Sequence, residues 1–143
     1  PGRIFINLKG SEEFGSVEKG EPYERLRDEI REAIFEMRDP NTGDQIVDKV
    51  MKREEIYSGP YLEEAADLIV HPKDGYDLKG NLFTESLIGR SHLVGMHTYD
   101  DAYLITPLKL ASTHGDISIQ DVPPTILDAL KLDIPGLDGR SLM

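Results

Sequence analysis

Between Glu21 and Arg38 an apolar residue recurs every third or fourth position, at Tyr23, Leu26, Ile30, Ala33, Ile34 and Met37. That period puts one apolar stripe on an α-helix. Glu24, Arg25, Asp28, Glu29, Arg31, Glu32 and Glu36 fall on the other side, where they read as a solvated face laced with near-neighbour ion pairs and not as a catalytic cluster. Pro22 suits the first turn, and Asp39-Pro40-Asn41-Thr42-Gly43 is a strong stop.

The segments around this helix read as strands. Arg3 to Lys9 has charged ends about an apolar centre of Ile4, Phe5, Ile6 and Leu8, as expected of a largely buried strand. Gln45 to Arg53 suits a second strand with one wet side, Asp67 to His71 a third, and Tyr103 to Thr106 a fourth that Pro107 ends. Glu54 and Glu55 begin a short turn, Leu62 to Ala66 makes one helical turn, and Lys73 to Arg90 is a long surface connection. Near the end, Asp121 is an expected N-cap, the prolines that follow fit a first turn, and Ile126, Leu127 and Leu130 supply a buried face. Strands and helices interleave along the whole length, so the class is α/β, with a short mixed sheet and flanking helices.

Charge and cysteine usage narrow the function. With 27 acidic against 16 basic side chains in 143 residues the net charge is −11, which argues against a nucleic acid polymer or an anionic membrane as partner. Cysteine is absent, which removes disulfides, thiolate zinc sites and thiol nucleophiles. No window has the apolar length of a membrane span and the first residues are not a secretory signal, so the expected location is cytoplasmic. Three Asn and two Gln in a chain that is 30% charged hint at a heat-adapted source. One domain, 1–143, is the expected organisation, and a core strand opening almost at Pro1 is expected of a piece of something longer.

His92, His97, Asp100 and Asp101 form the only close grouping of histidines with carboxylates, in a stretch that Gly89 and Gly95 keep from being helical. Imidazole and carboxylate are ligands for zinc, and an adjacent acid can orient a ligating imidazole. The bland reading is a pair of solvated loop histidines beside ordinary turn aspartates. The spacing closes no metal site by itself, because there is no His-Glu-x-x-His. GxGxxG, P-loop and GxSxG motifs are also missing.

Three segments in order carry a family resemblance: Gly95-Met96-His97-Thr98-Tyr99-Asp100-Asp101, then Asp121-Val122-Pro123-Pro124-Thr125-Ile126-Leu127, then Asp138-Gly139-Arg140-Ser141-Leu142. The chain resembles the C-terminal part of the alkaline phosphatase superfamily, in its type I phosphodiesterase/nucleotide pyrophosphatase branch with the archaeal and bacterial predicted phosphohydrolases. Gly2 to Gly10 and Ala66 to Val70 also look like the archaeal members. The resemblance implies the C-terminal portion of an alkaline-phosphatase-like α/β sandwich and a two-metal phosphoryl-transfer site, with a divalent metal, zinc above all, and a phosphate ester or nucleotide as substrate of the complete enzyme. His97 matches the late metal-ligating histidine. His92 is a lesser candidate, for packing or for holding a ligand in place.

The family's first metal-binding Asp, its nucleophilic Thr or Ser, its Asp-x-x-x-His pair and its Asp-His pair have no counterpart here, and no Asp-His dipeptide occurs. Two expectations follow. The first is part of a metal-dependent phosphohydrolase, a C-terminal fragment of a larger catalytic domain that self-associates through its truncated face. The other is a non-catalytic interaction module retaining the C-terminal layer of that fold.

Overall fold

The computed structural model describes every residue except 82, 84, 85, 91, 93, 94, 98–101 and 112–114. The backbone forms two units, Pro1–Thr98 and Tyr99–Met143.

The first unit is built on a three-stranded sheet of β1 (Gly2–Ile4), β2 (Val47–Lys52) and β3 (Leu68–Pro72), with β3 in the middle. Both pairings are antiparallel, with Gly2 opposite Val70 and Ile4 opposite Leu68 on one side, and Val50 opposite Val70 and Lys52 opposite Leu68 on the other. A mixed sheet was expected. The antiparallel one follows locally from the connection between β2 and β3, which turns back through two single 3-10 turns, Arg53–Glu55 and Leu62–Glu64, in place of the helical crossover that a parallel pair needs. These turns fall where Glu54, Glu55 and Leu62 to Ala66 suggested them.

Helix α1 (Glu21–Phe35) begins at Gly20, whose φ of 89 favours glycine, and carries Glu21 and Glu24 in the first turn, where acids suit the positive end of the helix. It covers one face of the sheet. Val47, Val50, Leu68 and Val70 with Ile46 form the buried core, and Ile30 and Ile34 pack on it as the helical period predicts; α1 ends at Phe35, short of the expected Arg38, and Met37 packs there from beyond the helix. Ala33 turns out exposed and Arg27 is buried in the face instead. A register shift between Val47 and Lys49 inserts one residue into β2, so that Val47 and Val50, three apart, both face the core.

Two expected strands differ. The run from Arg3 to Lys9 joins the sheet only up to Ile4, because the Ile6 N–H is taken by the Asp67 carboxylate at 2.6 Å and the chain then hooks back on itself in isolated bridges, with Lys9 N–H donating to the Val17 carbonyl. Ile6 is buried but Phe5 is 63% exposed. Tyr103 to Thr106 forms no strand: no ladder partner occurs among the described residues, and Tyr103 and Ile105 lie in solvent. Lys73 to Arg90 has neither helix nor strand where described, as expected, yet Tyr76, Leu78 and Ile88 return from it to the core.

In the second unit a 3-10 turn, Ile119–Asp121, runs straight into α2 (Val122–Ala129). Asp121 stands at the N-cap as expected, but its backbone is already helical and its carboxylate reaches back to the Ser118 N–H at 2.9 Å, not forward to the amides of α2. The expected apolar face is also displaced. Ile126 and Leu130 are exposed, and Thr125 is the buried residue of α2. Among the described residues no helix is long and apolar enough to cross a membrane.

Candidate functional site

His97, the expected metal ligand, is exposed, as are Gly95, Met96 and His92. Asp100 and Asp101, the nearest carboxylates in sequence, lie outside the described residues, as does His114. Among the described residues no group of three or more histidines and carboxylates stands close enough to hold a metal ion. Zinc in a protein takes three or four ligands from side chains, and one accessible imidazole supplies a single one. The described residues therefore do not by themselves fit a resident metal.

The other two segments of the family pattern are brought together. The Asp121 carboxylate accepts the Arg140 N–H at 3.0 Å, and Thr125 Oγ1 donates to the Asp121 carbonyl at 2.6 Å while accepting the Leu142 N–H at 3.0 Å. Ser141 closes the set by donating to Asp128 at 2.6 Å. Gly139 is required for contact, since a Cβ there would stand 1.9 Å from the Gln120 carbonyl oxygen. The Asp-Val-Pro-Pro-Thr and Asp-Gly-Arg segments thus make one clasp. In it Asp121, Thr125 and Gly139 hold backbone.

Sequence reasoning missed a buried charge cluster in the first unit. Arg27, Arg53, Asp67 and Tyr23 are 1, 6, 7 and 7% exposed, and they bind one another. Asp67 accepts the Ile6 N–H and the Tyr23 hydroxyl and forms an ion pair with the Arg53 guanidinium at 3.5 Å. Arg27 makes a two-pronged pair with Glu54, one prong at 2.8 Å, reaches Glu24 at 3.0 Å, and lies 5.0 Å over the Tyr23 ring. Arg53 meets Glu63 at 2.6 Å and the Glu63 carbonyl at 3.1 Å. The cluster joins α1, the turn after β2, and the residue leading into β3.

Its electrostatics are those of a tie. Burial, then the hydrogen bond to Asp67, pushes the Tyr23 phenol well above its ordinary range, so it stays protonated and is a poor base at neutral pH. The hydrogen bond from Arg27, against some burial, brings Glu54 down to about 2. The buried members are closed off from solvent and bind mainly one another, with the Nε of Arg27 and of Arg53 left without a hydrogen-bond partner among the described residues. The one signal available in the sequence was the spacing of Tyr23 and Arg27, which sets a cation one turn along from an aromatic ring on the apolar stripe.

A pH dependence follows from Glu54. A carboxyl whose folded value lies below its ordinary value of 4.5 adds stability above that value and loses it as pH falls toward about 2. Thermal midpoints should fall between pH 5 and pH 2, and Glu54→Gln should flatten that part of the profile. An identical profile in the variant would remove Glu54 from the account.

No protein-family model, curated protein or solved structure matches the chain.

Proposed function

We propose that the chain is part of a metal-dependent phosphohydrolase, a phosphodiesterase/nucleotide pyrophosphatase or phosphatase, to which it contributes His97 as one ligand of a two-metal site. The remaining ligands and the nucleophile are not carried by this sequence. The observation that supports this reading best is the clasp: two of the three motif segments, separate in sequence, are hydrogen-bonded into one unit through the residues that define them, Asp121, Thr125, Gly139 and Arg140. An accessible imidazole at His97 is consistent with a ligand shared with other residues. The fold this reading entails is the C-terminal portion of an alkaline-phosphatase-like sandwich. Its metal is zinc, and its substrate a phosphate ester or nucleotide.

A metal pair completed by residues beyond those described would supply Lewis-acid activation of the phosphoryl group, with His97 as the one ligand this chain would lend. What this chain offers there is an accessible imidazole at His97. The 143-residue chain alone should give the no-enzyme rate with zinc and either nitrophenyl phosphate or bis-nitrophenyl phosphate. Calorimetry should find weak zinc binding that disappears in His97→Ala. The protein isolated from its source cells should hydrolyse one of the two esters and lose about 100-fold or more of that rate in His97→Ala, as loss of a metal ligand demands. Tight zinc binding that survives the substitution, or a source-cell protein inert toward both esters, would overturn the reading.

A further inference from the structure

β2 is an edge strand: its inner edge pairs with β3, and among the described residues no strand pairs with its outer edge. At six residues it is long enough to template another strand. Natural edges of this kind are blunted by lysines and bulges, and β2 has both, in Lys49 and the extra residue near it. The lysine, however, is next to an aspartate. Asp48 and Lys49 are 50 and 67% exposed in their side chains and form only a loose, solvated ion pair at 3.8 Å, which leaves both free to meet a new partner.

We propose that the outer edge of β2 pairs with the same edge of a second copy of this chain, antiparallel about a two-fold axis between Asp48 and Lys49. The strand is self-complementary in that register. Asp48 of each copy stands opposite Lys49 of the other, twice, and Val47 stands opposite Val50. The bulge makes this consistent: it places Val47 and Val50 on the same, core-facing side, whereas residues three apart in a regular strand would face opposite ways. Shifting the axis by half a residue in either direction sets Asp48 against Asp48 or Lys49 against Lys49, which like-charge repulsion disfavours. The groove between α1 and this edge, about 350 Å³ and lined by Arg31, Phe35 and Met51 among others, adds apolar surface along the seam, where Phe35 is 45% exposed. The product is a six-stranded sheet with one helix from each copy on the same face. Such a two-fold contact closes on itself and builds no filament.

Charge exchange on the full chain tests it by sedimentation equilibrium at physiological salt. The unchanged chain should dimerise. Asp48→Lys alone and Lys49→Asp alone each turn two attractive cross-strand pairs into two repulsive ones, and each should weaken the dimer about tenfold or more. The double exchange, Asp48→Lys with Lys49→Asp, restores complementarity and should return the dissociation constant to within about twofold of the original. An equimolar mixture of the two single variants should form heterodimers while each stays monomeric, and circular dichroism of each single variant should match the parent. A monomeric parent, a dimer insensitive to both single exchanges, or a double exchange no tighter than the singles would each overturn the proposal. If either single variant fails to fold, the double exchange decides it alone: a dissociation constant more than tenfold weaker than the parent's overturns it.

Discussion

Asp67→Ala should cost the first unit about 3–5 kcal/mol, the range for leaving buried charge and donors without their partner. One carboxylate satisfies the buried Ile6 N–H at 2.6 Å and the Tyr23 hydroxyl and adds a 3.5 Å ion pair to the Arg53 guanidinium, which Glu63 also holds. Removal strands a backbone donor, a phenol and part of a cation together. Against a typical domain stability of about 5–15 kcal/mol the loss is a large share of the total. Urea unfolding followed by far-ultraviolet circular dichroism measures it. Asp67→Asn should cost less, because an amide oxygen can still accept from Ile6 or Tyr23. A change below about 1 kcal/mol in Asp67→Ala would mean that water reaches the cluster and replaces the carboxylate.

The second large effect belongs to the clasp. Gly139→Ala places a methyl carbon 1.9 Å from the Gln120 carbonyl oxygen and 2.7 Å from the Asp121 amide nitrogen, so backbone must move on one side or the other. Overpacking against backbone sits at the upper end of its usual range, about 3 kcal/mol. The movement separates Arg140 N–H from the Asp121 carboxylate and Leu142 N–H from Thr125, so amide hydrogen exchange at Arg140 and Leu142 should accelerate by about 100-fold. Unaltered exchange at both amides would show that the clasp does not depend on this glycine.

How much of this was legible in the chain depends on how local its cause is. Helix α1 was readable because its period is set within the helix, and β3 was found to within a residue because Leu68, Ile69 and Val70 are apolar on both faces of a central strand. The end of β1 was not readable, since what stops the ladder is the carboxylate of Asp67, sixty-one residues away. Arg27 was missed for a similar reason: a guanidinium is placed outward by default, and only the arrival of Glu54 and the Tyr23 ring makes its burial tolerable. The clasp lay in view as motifs but not as geometry, because neither motif says that the Thr125 hydroxyl will serve both Asp121 and Leu142. For His97 the sequence supplied a family pattern and the fold supplies accessibility; the carboxylates nearest it in sequence are outside the described residues.

The position of β3 in the sheet has a consequence for how the chain is made. The strand in the middle is the last of the three in sequence, so β1 and β2 leave the ribosome with nothing to pair with until Leu68–Pro72 follows them. Until then the apolar stripe of α1 has no finished floor. A pause in synthesis before residue 68 would present two strands with no pairing partner at once, and exposed strand edges of that kind are what a chaperone shields.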